Sequence, residues 1–509
     1  MVVSLHTRCR AQTVRVMIEP LSGPPDQAHP TSKTRKSATV PTKLAKIIAT
    51  WGPAVASDEL ITRLINAGVD LFRLNFSHAN HDEIAEVVPR IRAPAAAAGR
   101  PIALLQDIQG PRIRTGLLPN GQPVQLETGS VISISAESEG DASSNASHIT
   151  VTYPRIAEDV SEGDRILIAD GTIVLRAQAS TGGTVIAQVE YGGMLGEHKG
   201  VNLPDSQVRA EPLTPKDTSD LEFGAKIDVD YVALSFVRRA SDVEACRTLL
   251  RSLRRDTPII SKIEHPLAIE NLEEILAVSD GVMVARGDLG VEMSPERVPL
   301  LQKHIIRRAN EIGIPVITAT QMLESMVDRP SPTRAEASDV ANAILDGTDA
   351  VMLSAETAIG NYPIQTVETM ARIAVEAESA QRLPLRFERP EQAFLIAQSA
   401  VSLASKLDAK AVLVFTLSGQ TAQTISLNKP DRPIYALTPH AAVARQLSLW
   451  YAVEPYVGLD QEDIGGMLDH GIGALRDHGA VVDGDTVVLM GSSPAGPPNL
   501  INVRSVSAS

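Results

Sequence analysis

Residues 259–290 read IISKIEHPLAIENLEEILAVSDGVMVARGDLG. The stretch opens on a β-branched run, crosses a helical segment and closes on a second apolar run, a β–α–β unit. Its chemistry sits where the runs end. Lys262 and Glu264 are two residues apart, so on a strand they project to the same side, and Asp288 arrives at the end of the neighbouring run. A cation beside two acids is the set that a magnesium-assisted reaction on a phosphorylated or enolic substrate needs.

The same layout recurs on both sides of this unit. Eight runs, KLAKIIAT, VDLFRLN, PIALLQD, DYVALSF, PIISKIE, GVMVARGD, IPVITAT and AVMLSAE, alternate with longer helical stretches. Their nearly continuous hydrophobicity suits strands buried on both faces. The expected fold is therefore α/β, with a closed parallel (β/α)8 TIM barrel as its centre. Helix starts are announced by Ser241 with Glu244 and Thr333 with Glu336, both in capping-box spacing, and by Pro295 after Ser294. In such a barrel chemistry gathers at the C-terminal ends of the strands. Those ends carry Thr50, then Arg73, Asn75 and Ser77, Asp107, Ser235, Lys262 and Glu264, Asp288, Thr320, and Ser354 with Glu356. One or two polar residues there would be chance; eight ends from eight describe a catalytic mouth.

The third unit is interrupted. Between GPRIRTG and TPKDTSDLEFGAKI lie short alternating segments (VISISAES, HITVTYP, DRILIAD, TIVLRAQ, TVIAQVEYGG) parted by Gly and Asp turns. They predict a small β-barrel or sandwich, which as an insert at the barrel mouth is placed to act as a lid domain. Beyond Leu385 the segments AVLVFTLSGQTA, RPIYALTP, AVEPYVGL and DTVVLMGSSP predict a C-terminal α/β domain with an open sheet. Its strand-to-helix turn, with Thr416, Ser418, Gly419 and Thr421, suits either an effector phosphate or an ordinary helix cap. The expected division is a flexible extension over 1–40, the barrel over 41–115 and 212–384, the lid over 116–211 and the regulatory domain over 385–509.

Composition narrows the function. A net charge of -14 argues against nucleic acid as a partner, because phosphate backbones need clustered Lys and Arg. No run approaches the roughly 18 apolar residues of a membrane span, and the first forty residues lack the apolar core of a secretory signal. Two cysteines, Cys9 and Cys246, offer neither a metal quartet nor a disulfide framework. The expected location is the cytoplasm.

The strings KIIATWGPA, FRLNFSH, GPRIRTG, KGVNLP, SKIE, MVARGDLGVE, ATQMLESM and MLSAETAIGNYP, in this order and with an insert of this size, give the chain from Lys43 onward a close resemblance to the pyruvate kinase family. The resemblance implies phosphoryl transfer from phosphoenolpyruvate to ADP, giving pyruvate and ATP in the last step of glycolysis, and a homotetramer. It implies Mg²⁺ on Glu264 and Asp288, with Mn²⁺ suited to the same oxygen ligands. Arg73 would clamp the phosphoryl group, Lys262 would support it and the enolate, and Gly287 with Asp288 would meet the substrate carboxylate. Thr320 would stand near the enolate face, with a water to relay the proton because a Thr hydroxyl does not ionise usefully alone. Asn75, His78, Arg114 and Lys199 would contact the nucleotide.

Two departures from the family pattern carry expectations of their own. Many relatives also bind K⁺ through residues matching Asn75, Ser77, Asp107 and the carbonyl of Ile108. They usually have Thr at the position of Ile108 and Glu at that of Arg112, so a fixed guanidinium here predicts activity independent of K⁺. The last loop, GSSPAGPPNLINV, lacks the basic or aromatic residues of relatives regulated by sugar bisphosphates, leaving a sugar monophosphate, a nucleotide monophosphate or no effector. Two rival functions are weaker. A metal-dependent aldolase would not need the insert, Lys199, Arg73 or Arg114. A non-catalytic metabolite sensor would have lost part of the charged set that is intact here.

Overall fold

The computed structural model describes residues 15–18, 43–77, 80–137, 144–380, 389–458, 464–477, 479–491 and 500–507, in two compact units. The first spans Ala45–Ala98 and Ile102–Ala380. In it eight parallel strands, Lys46–Thr50, Leu71–Asn75, Ala103–Asp107, Tyr231–Leu234, Ile259–Ile263, Gly281–Ala285, Val316–Ala319 and Ala350–Leu353, close into a barrel. The last pairs with the first, Ala350 opposite Lys46. Each of the eight expected runs supplies one strand. Ile47, Ile48, Phe72, Leu104 and Val282 are fully buried, as they must be where side chains fill the barrel on one face and meet helices on the other.

Helix starts followed local chemistry in most places. Thr333 and Glu336 form the expected reciprocal capping box, and Pro295 opens a short 3-10 turn after Ser294. Ser241 does not cap. Its helix starts earlier, at Ala240, with Arg239 in the cap position and no side-chain cap bond. Asp242 takes over that first turn by accepting the Arg238 amide at 3.0 Å. A further box, Thr214 with Asp217, opens the helix Pro215–Lys226. Asp217 also accepts the Gly110 amide at 2.9 Å, tying the loop after the third strand to that helix.

The insert is a seven-stranded sheet in the order Ile113–Arg114, Gly200–Asn202, Arg165–Ile168, Ile173–Thr181, Thr184–Tyr191, Val131–Ala136, His148–Val151. Its two edges meet through a Thr115–Val151 bridge and a bond from the Thr152 amide to the Arg114 carbonyl at 2.9 Å, so the sheet curls shut around Ile134, Ile149, Ile168, Leu175 and Val185. The sheet begins at Ile113, inside the stretch assigned to the barrel by sequence, and the insert shares one compact unit with the barrel.

The second unit holds a six-stranded sheet in the order Arg15–Ile18, Leu500–Ser505, Thr486–Gly491, Ala411–Phe415, Ile434–Thr438, Val453–Val457. Four of these strands were expected. The other two are Leu500–Ser505, antiparallel to Thr486–Gly491, and Arg15–Ile18, parallel to it on the far side. The latter corrects the expectation of an extension over 1–40 at those four residues: RVMI is short, but an edge that needs pairing gives it a partner. No helix among the described residues is long and apolar enough to cross a membrane.

Candidate active site

The strand Ile259–Ile263 delivers Lys262 to the barrel mouth, and Glu264 follows one residue past its end. The Lys262 ammonium donates to Ser235 Oγ at 2.7 Å and lies 3.4 Å from both Asp107 Oδ1 and Glu264 Oε2. Burial alone would depress its pKa, but Asp107, Glu264 and Asp288 together hold it above the ordinary lysine value. Ser235 is the hub of this arrangement, since its hydroxyl also reaches the Ile108 carbonyl at 2.7 Å. Gly110 makes the hub possible. Its φ is +71°, and a side chain there would put Cβ 3.0 Å from the Ser235 carbonyl oxygen.

Glu264 is fully buried. Its Oε1 accepts the Phe236 amide at 2.7 Å, and that amide is aimed by a left-handed Phe236, φ +55°. Its Oε2 has no hydrogen-bond donor, only the Lys262 ammonium at ion-pair distance. Burial, reinforced by Asp288, pushes the carboxyl up to about 7 against the pull of Lys262. Asp288 sits in the first turn of the helix Arg286–Glu292, which starts directly where the next strand, Gly281–Ala285, ends. Ile263 and Val284 are in register, so the two acids stand on adjoining strands. An acceptor stripped of water and left without a donor beside a second acid suits a divalent cation.

Arg73 is fixed from two sides. Its Nε donates to Asp107 Oδ2 at 2.6 Å and its Nη1 to Thr50 Oγ1 at 3.2 Å. Despite burial, Lys262 and Arg73 hold Asp107 below the usual carboxylate range. Thr320 has a left-handed backbone, φ +64°. Its hydroxyl accepts the Gly287 amide at 2.7 Å and donates to the Ala319 carbonyl at 2.7 Å. Arg112 reaches across the mouth, its Nη2 3.4 Å from Asp288 Oδ1 and 3.6 Å from Asp170 Oδ1 on the insert.

Lys262, Glu264, Asp288, Asp107, Arg73, Gly287 and Thr320 are thus linked by contacts or by shared charge. Asn75 Oδ1 accepts the Ser77 amide at 3.2 Å. Arg114 and Lys199 stand at the root of the insert, where Arg114 Nη1 donates to the His198 carbonyl at 3.0 Å. His78 lies outside the described residues. In the second unit the turn before the helix Gln420–Ser426 contains Gly419, whose amide donates to Thr416 Oγ1 at 2.9 Å, while Ser418 Oγ is 3.5 Å from the Gln420 amide. These bonds lie within the turn itself; Gly419 takes the cap position of the helix, which has no side-chain cap bond.

Sequence patterns did not single out Arg286, whose guanidinium donates to the carbonyls of Ala319, Thr320 and Gln321 and is itself held by Asp339 at 2.6 Å. It sets the Thr320 loop. Glu356, expected among the mouth residues, is instead fully buried and binds the Leu323 and Ser354 amides at 3.1 and 2.6 Å, so it braces two loops.

Residues 42–367 match the family model for the pyruvate kinase barrel domain, and residues 395–506 match that for the pyruvate kinase alpha/beta domain. The chain belongs to the pyruvate kinase family. Proteins named pyruvate kinase are similar over nearly the whole chain. One from Mycobacterium intracellulare is 41% identical over 466 residues, covering 91% of this chain and 98% of its own. One from Sporosarcina psychrophila is 44% identical over 471 residues, covering 91% and 80%, and one from Geobacillus stearothermophilus is 43% identical over 474 residues, covering 91% and 79%. As a pyruvate kinase, the enzyme transfers the phosphoryl group of phosphoenolpyruvate to ADP, the last step of glycolysis, with the divalent metal that the family uses.

Proposed function

We propose that Glu264 and Asp288 hold Mg²⁺ at the mouth of the barrel and that Lys262, Arg73 and Thr320 act on the substrate around it. The observation that carries this reading is the Glu264 Oε2 atom, buried without a donor one residue past the strand that bears Lys262. Among the described residues no cluster of three or more His, Cys, Asp or Glu side chains forms a metal cage. Two carboxylates suit an ion that completes its shell with substrate oxygens and water, as magnesium does. When bound, the ion supplies positive charge to the enol and phosphoryl oxygens; Mn²⁺ suits the same ligands.

The residues of the chain supply the rest. Lys262 keeps its proton through neutral pH because three carboxylates surround it, so its ammonium faces the phosphoryl group and the enolate as negative charge develops. Arg73, held by Asp107 and Thr50, clamps the phosphoryl group without having to be ordered first. The single proton of the Thr320 hydroxyl is already given to the Ala319 carbonyl. Thr320 therefore orients a water that protonates the enolate rather than delivering its own proton. Arg114 and Lys199 meet the nucleotide phosphates from the insert, joined by Asn75; the family motif adds His78, which lies outside the described residues.

The same geometry supports activity independent of K⁺. Asp107 is engaged by Arg73 and Lys262, the Ile108 carbonyl by Ser235, and Asn75 Oδ1 by the Ser77 amide. The Arg112 guanidinium contacts Asp288 at 3.4 Å and Asp170 at 3.6 Å rather than any of these ligands, and adds a protein-borne charge to the same mouth in place of one recruited from solution. In an assay coupled to lactate dehydrogenase, with phosphoenolpyruvate, ADP and Mg²⁺, replacing KCl by tetramethylammonium chloride should change the rate by less than about twofold. Stimulation by KCl of about tenfold or more would refute K⁺ independence while leaving the magnesium site standing.

A further inference from the structure

The strand Gly200–Asn202 lies between Ile113–Arg114 and Arg165–Ile168 in the insert sheet. Lys199 immediately precedes this strand, Arg114 is the register partner of Gly200, and Asn202 ends it. Two hydrogen-bonded strands therefore carry Arg114 and Lys199 as one stiff piece, with Asn202 at its far end. The Asn202 amide nitrogen donates to Glu292 Oε1 at 2.7 Å. Glu292 is the last residue of the helix Arg286–Glu292, which carries Gly287 and Asp288. Both partners are buried, 6% and 5% exposed.

We propose that the Asn202–Glu292 hydrogen bond is a latch that sets the nucleotide-facing strand of the insert against the helix bearing Gly287 and Asp288, making Asn202 and Glu292 positioning residues for phosphoryl transfer. A carboxylate is a poor choice for packing alone here. Its Oε2 is buried with no hydrogen-bond partner. Burial pushes Glu292 up to about 7, and the nearby Asp288 and Glu264 add to the shift. The fold keeps a third acid beside two others where an apolar residue would carry no such penalty. What the acid provides is a strong acceptor for a single donor on the insert.

The proposal rests on the reading of Lys199 and Arg114 as nucleotide contacts. Its test is a double-mutant cycle in the full-length enzyme with Mg²⁺: Asn202→Ala, Glu292→Ala and the pair. Each single change should lower kcat/KM for ADP about tenfold, with KM for phosphoenolpyruvate changed by less than about twofold. The double variant should be no worse than the weaker single one, because both remove the same bond. If Asn202→Ala proves too unstable, as read by thermal melting, Asn202→Ser replaces it in the cycle. Additive losses, or equal effects on both substrates, would overturn the latch. Lys199→Ala separates the two readings: a normal KM for ADP in that variant overturns the nucleotide role and the latch with it, whereas a raised KM beside an additive cycle overturns the latch alone.

Discussion

Lys262→Met should lower kcat by about a thousandfold or more while the protein still folds. The ammonium is hydrogen-bonded to Ser235 and lies 3.4 Å from both Asp107 and Glu264, and a Met side chain of similar reach fills its space without charge. Removing one partner of a buried charge set ordinarily leaves an uncompensated ion. Here Asp107 keeps its bond to Arg73, and Glu264, already pushed up to about 7 by burial, is readily neutral without its lysine. The melting midpoint should therefore move little. Because the charge is needed most as the phosphoryl group departs, the loss should fall on kcat more than on KM for phosphoenolpyruvate. A variant that keeps a tenth or more of the wild-type kcat would remove Lys262 from the chemistry.

Glu264→Gln should weaken divalent-ion binding by about a hundredfold or more, read by Mn²⁺ titration of the otherwise intact protein. The amide oxygen can still accept the Phe236 amide, so the local backbone has no reason to move. The lost atom is the orphan oxygen, replaced by a group that donates rather than accepts. Unchanged Mn²⁺ affinity would move the metal away from Glu264 and leave its burial without explanation.

The barrel was legible because its strands are buried on both faces, so IISKI and GVMVA read as nearly continuous apolar runs with charged residues at or just past their ends. Lys262, Glu264 and Asp288 stood out for the same reason: polar groups at the ends of such runs have no packing role. Contacts between residues distant in sequence were not legible. Arg112 touching Asp170 and Asp288, Arg286 gripping the Thr320 loop, and Asn202 meeting Glu292 each span dozens of residues or more, and no local spacing encodes them. Local rules also failed where a stronger partner was at hand. Ser241 has the spacing of a cap, but Asp242 takes the first turn of that helix by binding the Arg238 amide. The edge strand Arg15–Ile18 is too short for periodicity to declare it; its identity lies in the sheet edge it pairs with.

The most direct test is to grow crystals with Mn²⁺ in place of Mg²⁺ and locate the ion by its anomalous scattering. A peak bonded to one carboxylate oxygen each from Glu264 and Asp288, at about 2.1 Å, is the predicted result. An ion bound elsewhere, with these two side chains turned from one another, would contradict the account.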